Sequence, residues 1–422
     1  MVHRRLRRRV DARARLHATP GRSGRADGGA RGVREGLTGI LTPVADQGER
    51  HASWLELFFD LVAVAGVAQL SHLLHSSPGW SGAGLYVLCF LAFWTAWMCF
   101  TVYGNVAAGT TQALPVLAAM MGLAVMAAAV PEIHGDRAKV FALAYVAVRV
   151  LSDRAWRGRG AVVVDWPVAQ MGAGVVPWIA SLWAGDPWRY YLWALGLVLD
   201  LVVSFTFNRD RMARAIAERQ ARASERRPEL RSVTIARLDE AHFGERLGLF
   251  MIIVLGEGVL MVTQAMSELA AWHGAVFGTA IGSLALLAGL WALLLQRGFG
   301  GIPMLADTAP PRTMLLLHCL VAGVLAALAS GMGELVESVP HGHVEPSARW
   351  LVCAAVAAIG VVGAGAAAAR YGWLWGLRPL APAVLIPALA GLLDPGAAGL
   401  VWLLVAAVAG QLLATRRKAT GQ

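Results

Sequence analysis

Charge is scarce in this chain. Only 15% of its 422 residues are Asp, Glu, Lys or Arg, against the ~25% typical of soluble domains. Hydrophobic residues make up 57% and mean hydropathy is +0.56, so a water-facing globular domain is excluded and a polytopic membrane protein is indicated. Cysteine is also sparse. Cys89, Cys99, Cys319 and Cys353 each lie in an apolar run with no CxxC spacing. That excludes a disulfide framework or a structural zinc site and reads as small core residues. Lysine is almost missing, since all but Lys139 and Lys418 of the 37 basic residues are arginine. The signatures of soluble enzymes are absent too: there is no Walker A sequence, HExxH or GxSxG. Gly363-Ala-Gly365 sits inside an apolar run with no strand before it, so it is no dinucleotide site. No cofactor and no metal is called for. The sequence leans away from an enzyme.

What the chain does have is apolar runs long enough to span a bilayer. They fall near 54–75, 83–105, 113–130, 138–155, 161–183 and 190–208, then 246–266, 275–296, 313–333, 350–369, 373–393 and 397–415. The expected fold is therefore an all-α membrane bundle of about twelve transmembrane helices. Residues 1–50 hold twelve arginines and no apolar run, which predicts a disordered cytoplasmic tail. Residues 51–208 form a first half, 209–245 a basic linker with a helical extension, 246–415 a second half and 416–422 a basic tail. With the first tail inside, 32 basic residues fall in inside segments and four in outside loops, which places both termini in the cytoplasm of an inner-membrane protein. Six is even, so any repeat between the halves is parallel, about an axis along the membrane normal. The net charge of +10 follows from this topology. The arginines of 210–227 lack interleaved aromatics, so no nucleic-acid partner is expected; the partners are the lipid bilayer and an unidentified small molecule or ion.

Two stretches organise the rest. His51-Ala-Ser-Trp-Leu-Glu-Leu-Phe-Phe-Asp-Leu-Val62 opens the first span, and His242-Phe-Gly-Glu-Arg-Leu-Gly-Leu-Phe-Met-Ile-Ile-Val-Leu-Gly-Glu-Gly258 opens the seventh. These runs resemble the bacterial low temperature requirement A family, through Glu56, Phe58, Phe59 and Asp60 in the first and Glu245, Arg246, Gly248, Phe250, Gly256 and Glu257 in the second. Phe141 to Tyr145 with Arg149 is similar to the family's fourth span. The resemblance covers about 51–415 and implies a polytopic membrane protein named for a cold-growth phenotype, with no reaction or substrate attached. Asn105–Gln112 carries no charge, where the family usually has some.

Ionisable residues inside spans carry the functional argument, because a charge at mid-bilayer costs ~2.5–3.5 kcal/mol on insertion scales. Asp60, Asp200, Glu257 and Arg149 are the deep ones, and Glu56 shares a helix face with Asp60 at i,i+4. Three deep acids face one deep arginine. Arg149 is expected to pair with Asp200 or Asp60, and the acids left over need a cation, a proton or a water-filled path. The competing reading is that each acid bonds loose backbone or a nearby side chain as glue between helices. His242, Glu245 and Arg246, at the entry of the seventh span, form a gate or serve the helix N-terminus. His318 is expected as a packed, hydrogen-bonded histidine, and His72 with His75 as an interfacial pair. Pro379, Pro382 and Pro387 predict a kinked or broken eleventh span. The leading expectation is a proton- or cation-coupled transporter or permease with these acids as the coupling site. The alternatives are an intramembrane lipid-modifying enzyme and a non-catalytic membrane or signalling component for cold adaptation.

Overall fold

The computed structural model describes residues 51–76, 79–107, 111–157, 161–163, 166–169, 172–206, 234–236, 238–296 and 311–415. The two expected tails and most of the expected basic linker lie outside the described residues. Within them the chain is helical apart from one short strand pair. The first six helices are α1 (Trp54–Ser76), α2 (Trp80–Ala107), α3 (Ala113–Ala129), α4 (Arg137–Arg157), α5 (Val175–Ala180) and α6 (Trp188–Thr206). The second six are α7 (Glu240–Glu268), α8 (Gly274–Trp291), α9 (Pro311–Glu337), α10 (Pro346–Tyr371), α11 (Trp373–Leu393) and α12 (Gly396–Ala414). Among the described residues nine helices are long and apolar enough to cross a membrane, namely α1–α3 and α7–α12.

Local chemistry sets the helix starts. Ser53 precedes α1 and its hydroxyl accepts from the Glu56 amide at 3.3 Å, while Glu56 Oε2 accepts from the Ser53 amide at 2.9 Å. This is a capping box, in which the two residues satisfy each other's free amides. Asp239 caps α7 by accepting from the His242 amide at 3.2 Å. In α1 the buried positions Phe59, Ala63, Val67 and Leu70 recur three and four residues apart, the spacing that gathers one face against neighbours, whereas α2 is buried all round from Ala92 to Asn105. The opposite faces carry Leu61, Leu114, Leu260, Leu385 and Leu389 exposed, as hydrocarbon contact demands. All four cysteines are free and buried.

Neighbours repeat in order. α1 packs on α2 and α3, α3 on α4, α4 on α5, α5 on α6, and α6 on α2. Likewise α7 packs on α8 and α9, α9 on α10, α10 on α11, α11 on α12, and α12 on α8. The two groups meet where α1 and α2 touch α7 and α9.

Two expectations need correcting. The run 161–183 is no continuous helix. It holds strand β1 (Ala161–Val163), a 3-10 turn (Pro167–Ala169), the six-residue α5 and a second 3-10 turn (Ser181–Trp183). Pro167, Gly172, Gly174 and Pro177 interrupt it, each unfavourable in a helix interior. β1 pairs in parallel with strand β2 (Thr234–Ala236), Val162 opposite Ile235, so the far end of α4 is tied to the approach to α7. α11 is the second case, since it is not broken. It runs unbroken from Trp373 to Leu393 with all three prolines inside.

Candidate functional site

The first polar cluster lies where α1 and α7 begin. Asp60 and Arg246 are 0% and 1% exposed and form an ion pair. Arg246 Nε also donates to Asp60 Oδ2 at 3.4 Å. From α2, Trp97 Nε1 donates to Asp60 Oδ1 at 2.7 Å. Glu56 sits one turn earlier, its Oε1 3.7 Å from Arg246 Nη1 and its Oε2 3.4 Å from His242 Nε2. Ser53 Oγ donates to the same Oε2 at 2.8 Å. Asn105 on α2 closes the cluster. It accepts from the Asp239 amide at 2.8 Å, donates to the Asp239 carbonyl at 3.0 Å, and its Nδ2 lies 3.1 Å from His242 Nδ1. An amide NH2 can only donate, so His242 accepts there at Nδ1 and carries its proton at Nε2, the ring nitrogen on the Glu56 side. Outside this core His51 Nδ1 lies 3.4 Å from Glu245 Oε1, both on the exposed rim.

The register follows from the pairs. Glu56 meets His242 and Asp60 meets Arg246, so both pairs are 186 positions apart and advance together along the two helices. α1 and α7 are therefore parallel. Farther along α7 lies Glu257, and toward the far end of α1 lies His72. Between the two polar levels the seam is apolar, with Ala63, Val64 and Val67 on α1 and Val254 on α7 buried.

Gly104 of α2 makes room for the cluster. A Cβ there would lie 2.8 Å from Glu56 Oε1 and 3.4 Å from Arg246 Nη1. Gly104→Ala is therefore expected to displace that carboxylate and lower the thermal unfolding midpoint of the purified protein, whereas Gly84→Ala, which meets nothing within 4 Å, leaves it unchanged. Ser53→Ala removes a cap worth about 1 kcal/mol and should lower the midpoint by a smaller step.

Aromatic packing fixes the far side of Asp60. The Trp97 ring lies 4.1 Å from Phe250 and 5.9 Å from His318, centroid to centroid. His318 on α9 has Nε2 3.1 Å from the Leu247 carbonyl and accepts from Trp94 Nε1 at 3.5 Å through Nδ1. It is the packed, bonded histidine the sequence led us to expect.

The second cluster joins α4 and α6. Arg149 Nη1 donates to Asp200 Oδ2 at 2.6 Å and to the Tyr145 hydroxyl at 3.1 Å, and Nη2 donates to the Val168 carbonyl at 3.0 Å. Asp200 Oδ1 accepts from the Gly174 amide at 3.0 Å, and Ser152 Oγ donates to the Ala169 carbonyl at 3.0 Å. The partners explain the arrangement. Val168, Ala169 and Gly174 belong to the non-helical stretch, whose backbone groups lack helical partners and must be satisfied from within the protein at membrane depth. Asp200 is thus bonded both to the Arg149 side chain and to loose backbone. Gly174 packs directly on Gly196 of α6 and on the Asp200 carboxyl, leaving no space for a Cβ. Gly174→Ala should cost folded yield, measured by monodispersity after extraction.

The site residues thus divide. Arg149 takes Asp200, as one of the two expected pairings, while the partner of Asp60 is Arg246. Counting Arg246 only as an entry residue made the deep charges look more unbalanced than they are. Glu257 stands apart. It is half-buried in an unbroken α7, with no hydrogen bond or ion pair among the described residues. Trp97, Asn105, Gly104 and Ser53 were missed. The Ser-x-x-Glu spacing of Ser53 and Glu56 would have given the cap, and Asn105 is the one amide side chain in α2.

Apolar spans around buried, paired charges define a polytopic helical membrane protein. Its residues 51–410 match the family model described as bacterial low temperature requirement A protein, and the chain belongs to that family. No curated protein and no solved structure matches it.

Proposed function

We propose that the chain is a proton- or cation-coupled transporter of the inner membrane, in which two halves move against each other across the seam between α1 and α7. Residues 51–208 form one half and 246–415 the other, related as a parallel repeat of six crossings each, with both termini cytoplasmic. The recurring order of helix neighbours supports the repeat. The fifth crossing is then the non-helical stretch, held by Arg149 and Asp200, which serve structure rather than coupling.

One observation carries this reading. The charges of Glu56, Asp60 and Arg246, with the His242 ring beside them, are buried between the halves rather than inside one of them. Apolar residues would join two static halves at no desolvation cost, since replacing a buried ion pair by packed hydrophobic side chains is often neutral or stabilising. Charge at a seam is useful where the seam opens. Protonating Glu56 or Asp60, or binding a cation in place of Arg246, weakens the lock, and Glu257 is a further carboxyl farther along α7.

Proteoliposomes with a trapped pH dye test it. Under an imposed pH gradient the wild type should move protons faster than empty vesicles, and the apolar replacement Asp60→Leu/Arg246→Met should abolish the difference. Equal rates for the two proteins would remove the seam from the mechanism.

A further inference from the structure

Between α2 and α9 lies an apolar groove of about 300 Å³, bounded by Ala83, Tyr86, Val87, Leu320, Gly323 and Val324. That is the lower end of the size of ligand sites. Its outer lip is formed by Val87 and Leu320, 52% and 50% exposed, so in a bilayer the groove opens to hydrocarbon. Among its lining, Tyr86 Oη donates to the Gly323 carbonyl at 2.7 Å, which leaves the phenol no polar demand on a guest. Leu91 and Cys319 line both this groove and a deeper cavity of about 60 Å³, which reaches Thr95, Trp166 and Asp200.

We propose that this groove and cavity hold one acyl chain of a phospholipid from the leaflet at the surface where α1 ends and α2 begins. Length supports the assignment. From Ala83 at the mouth to Thr95 at the bottom the path follows α2 for about 18 Å at 1.5 Å per residue, slightly more than half of a ~30 Å hydrocarbon core. That is the reach of a single chain hanging from its headgroup. Chemistry supports it as well: Asp200 at the bottom is already closed by Arg149, so nothing there demands a charged guest. The chain would wedge between α2 and α9, one helix from each side of the seam. The assignment does not depend on the coupling reading.

The test uses full-length protein in vesicles containing phosphatidylcholine with a photoactivatable diazirine near one acyl terminus, with labelled peptides mapped by mass spectrometry. Labelling at 91–95 and 316–320 should exceed that at the lipid-facing Leu385 and Leu389 of α11 at least several-fold. Val87→Trp and Leu320→Trp, which fill the groove from exposed positions and so leave the core intact, should bring it down to that general level without changing α11. Labelling equal on the groove and on α11 in the wild type would overturn the site, as would indifference to both plugs. Unlabelled groove residues together with disulfide-linked dimers of Leu320→Cys would assign the surface to a second copy and equally overturn it.

Discussion

Arg246→Ala should lower stability by about 3–5 kcal/mol, the cost of leaving a buried charge without its partner. Asp60 is fully buried and Glu56 nearly so, and the Trp97 and Ser53 donors that stay beside them carry no charge. The expected readout is an early thermal transition in detergent and poor recovery. Asp60→Leu/Arg246→Met should recover most of the loss, because the pair lies among Phe59, Trp97 and Phe250, where apolar side chains pack without orphaned groups. The rescued double variant should still be inactive in the proton assay. A fold that returns while function stays lost separates coupling from scaffolding.

Arg149→Met should be as damaging, about 3–5 kcal/mol by the same argument, and here the apolar partner change should fail. Arg149→Met/Asp200→Leu removes both charges but strands the Val168 carbonyl and the Gly174 amide, whose donor and acceptor these side chains are. Each unmet buried group costs about 1–3 kcal/mol. Even Arg149→Lys falls short, since one ammonium on a flexible stem does not reproduce the planar fork that reaches Asp200, Tyr145 and Val168 together. Unfolding midpoints of the two double variants, measured side by side, check the contrast: near wild type at the α1/α7 cluster, far below it at the α4/α6 cluster.

The contrast also explains what the sequence could and could not reveal. Membrane-spanning helices are legible because hydrocarbon requires long apolar runs, and nine of the twelve expected spans coincide with described helices of spanning length. The run 161–183 misled because apolarity measures immersion rather than helicity. Pro167, Gly172, Gly174 and Pro177 held the missing information, together with Arg149 and Asp200 as the side chains that answer a broken backbone. Asp60 and Glu56 stood out as costly acids, yet their partner did not. Arg246 lies six residues into a helix whose first turn is polar, and hydropathy places such a residue at the interface. Only the parallel, in-register contact of α1 with α7 carries it inward to Asp60, and sequence spacing says nothing about contacts between helices so far apart in the chain. Asn105 and Trp97 were hidden for the same reason, since their importance comes entirely from what faces them.

The seam itself can be watched directly. With the four buried cysteines replaced, spin labels at Trp54→Cys and Glu240→Cys, both on exposed positions at the start of α1 and α7, report the separation of the two helices by pulsed electron resonance. The distance distribution should shift between neutral and acidic pH in the otherwise wild-type protein and stay fixed in Asp60→Leu/Arg246→Met. One unchanging distance at every pH in both proteins would contradict a charge-locked, opening seam.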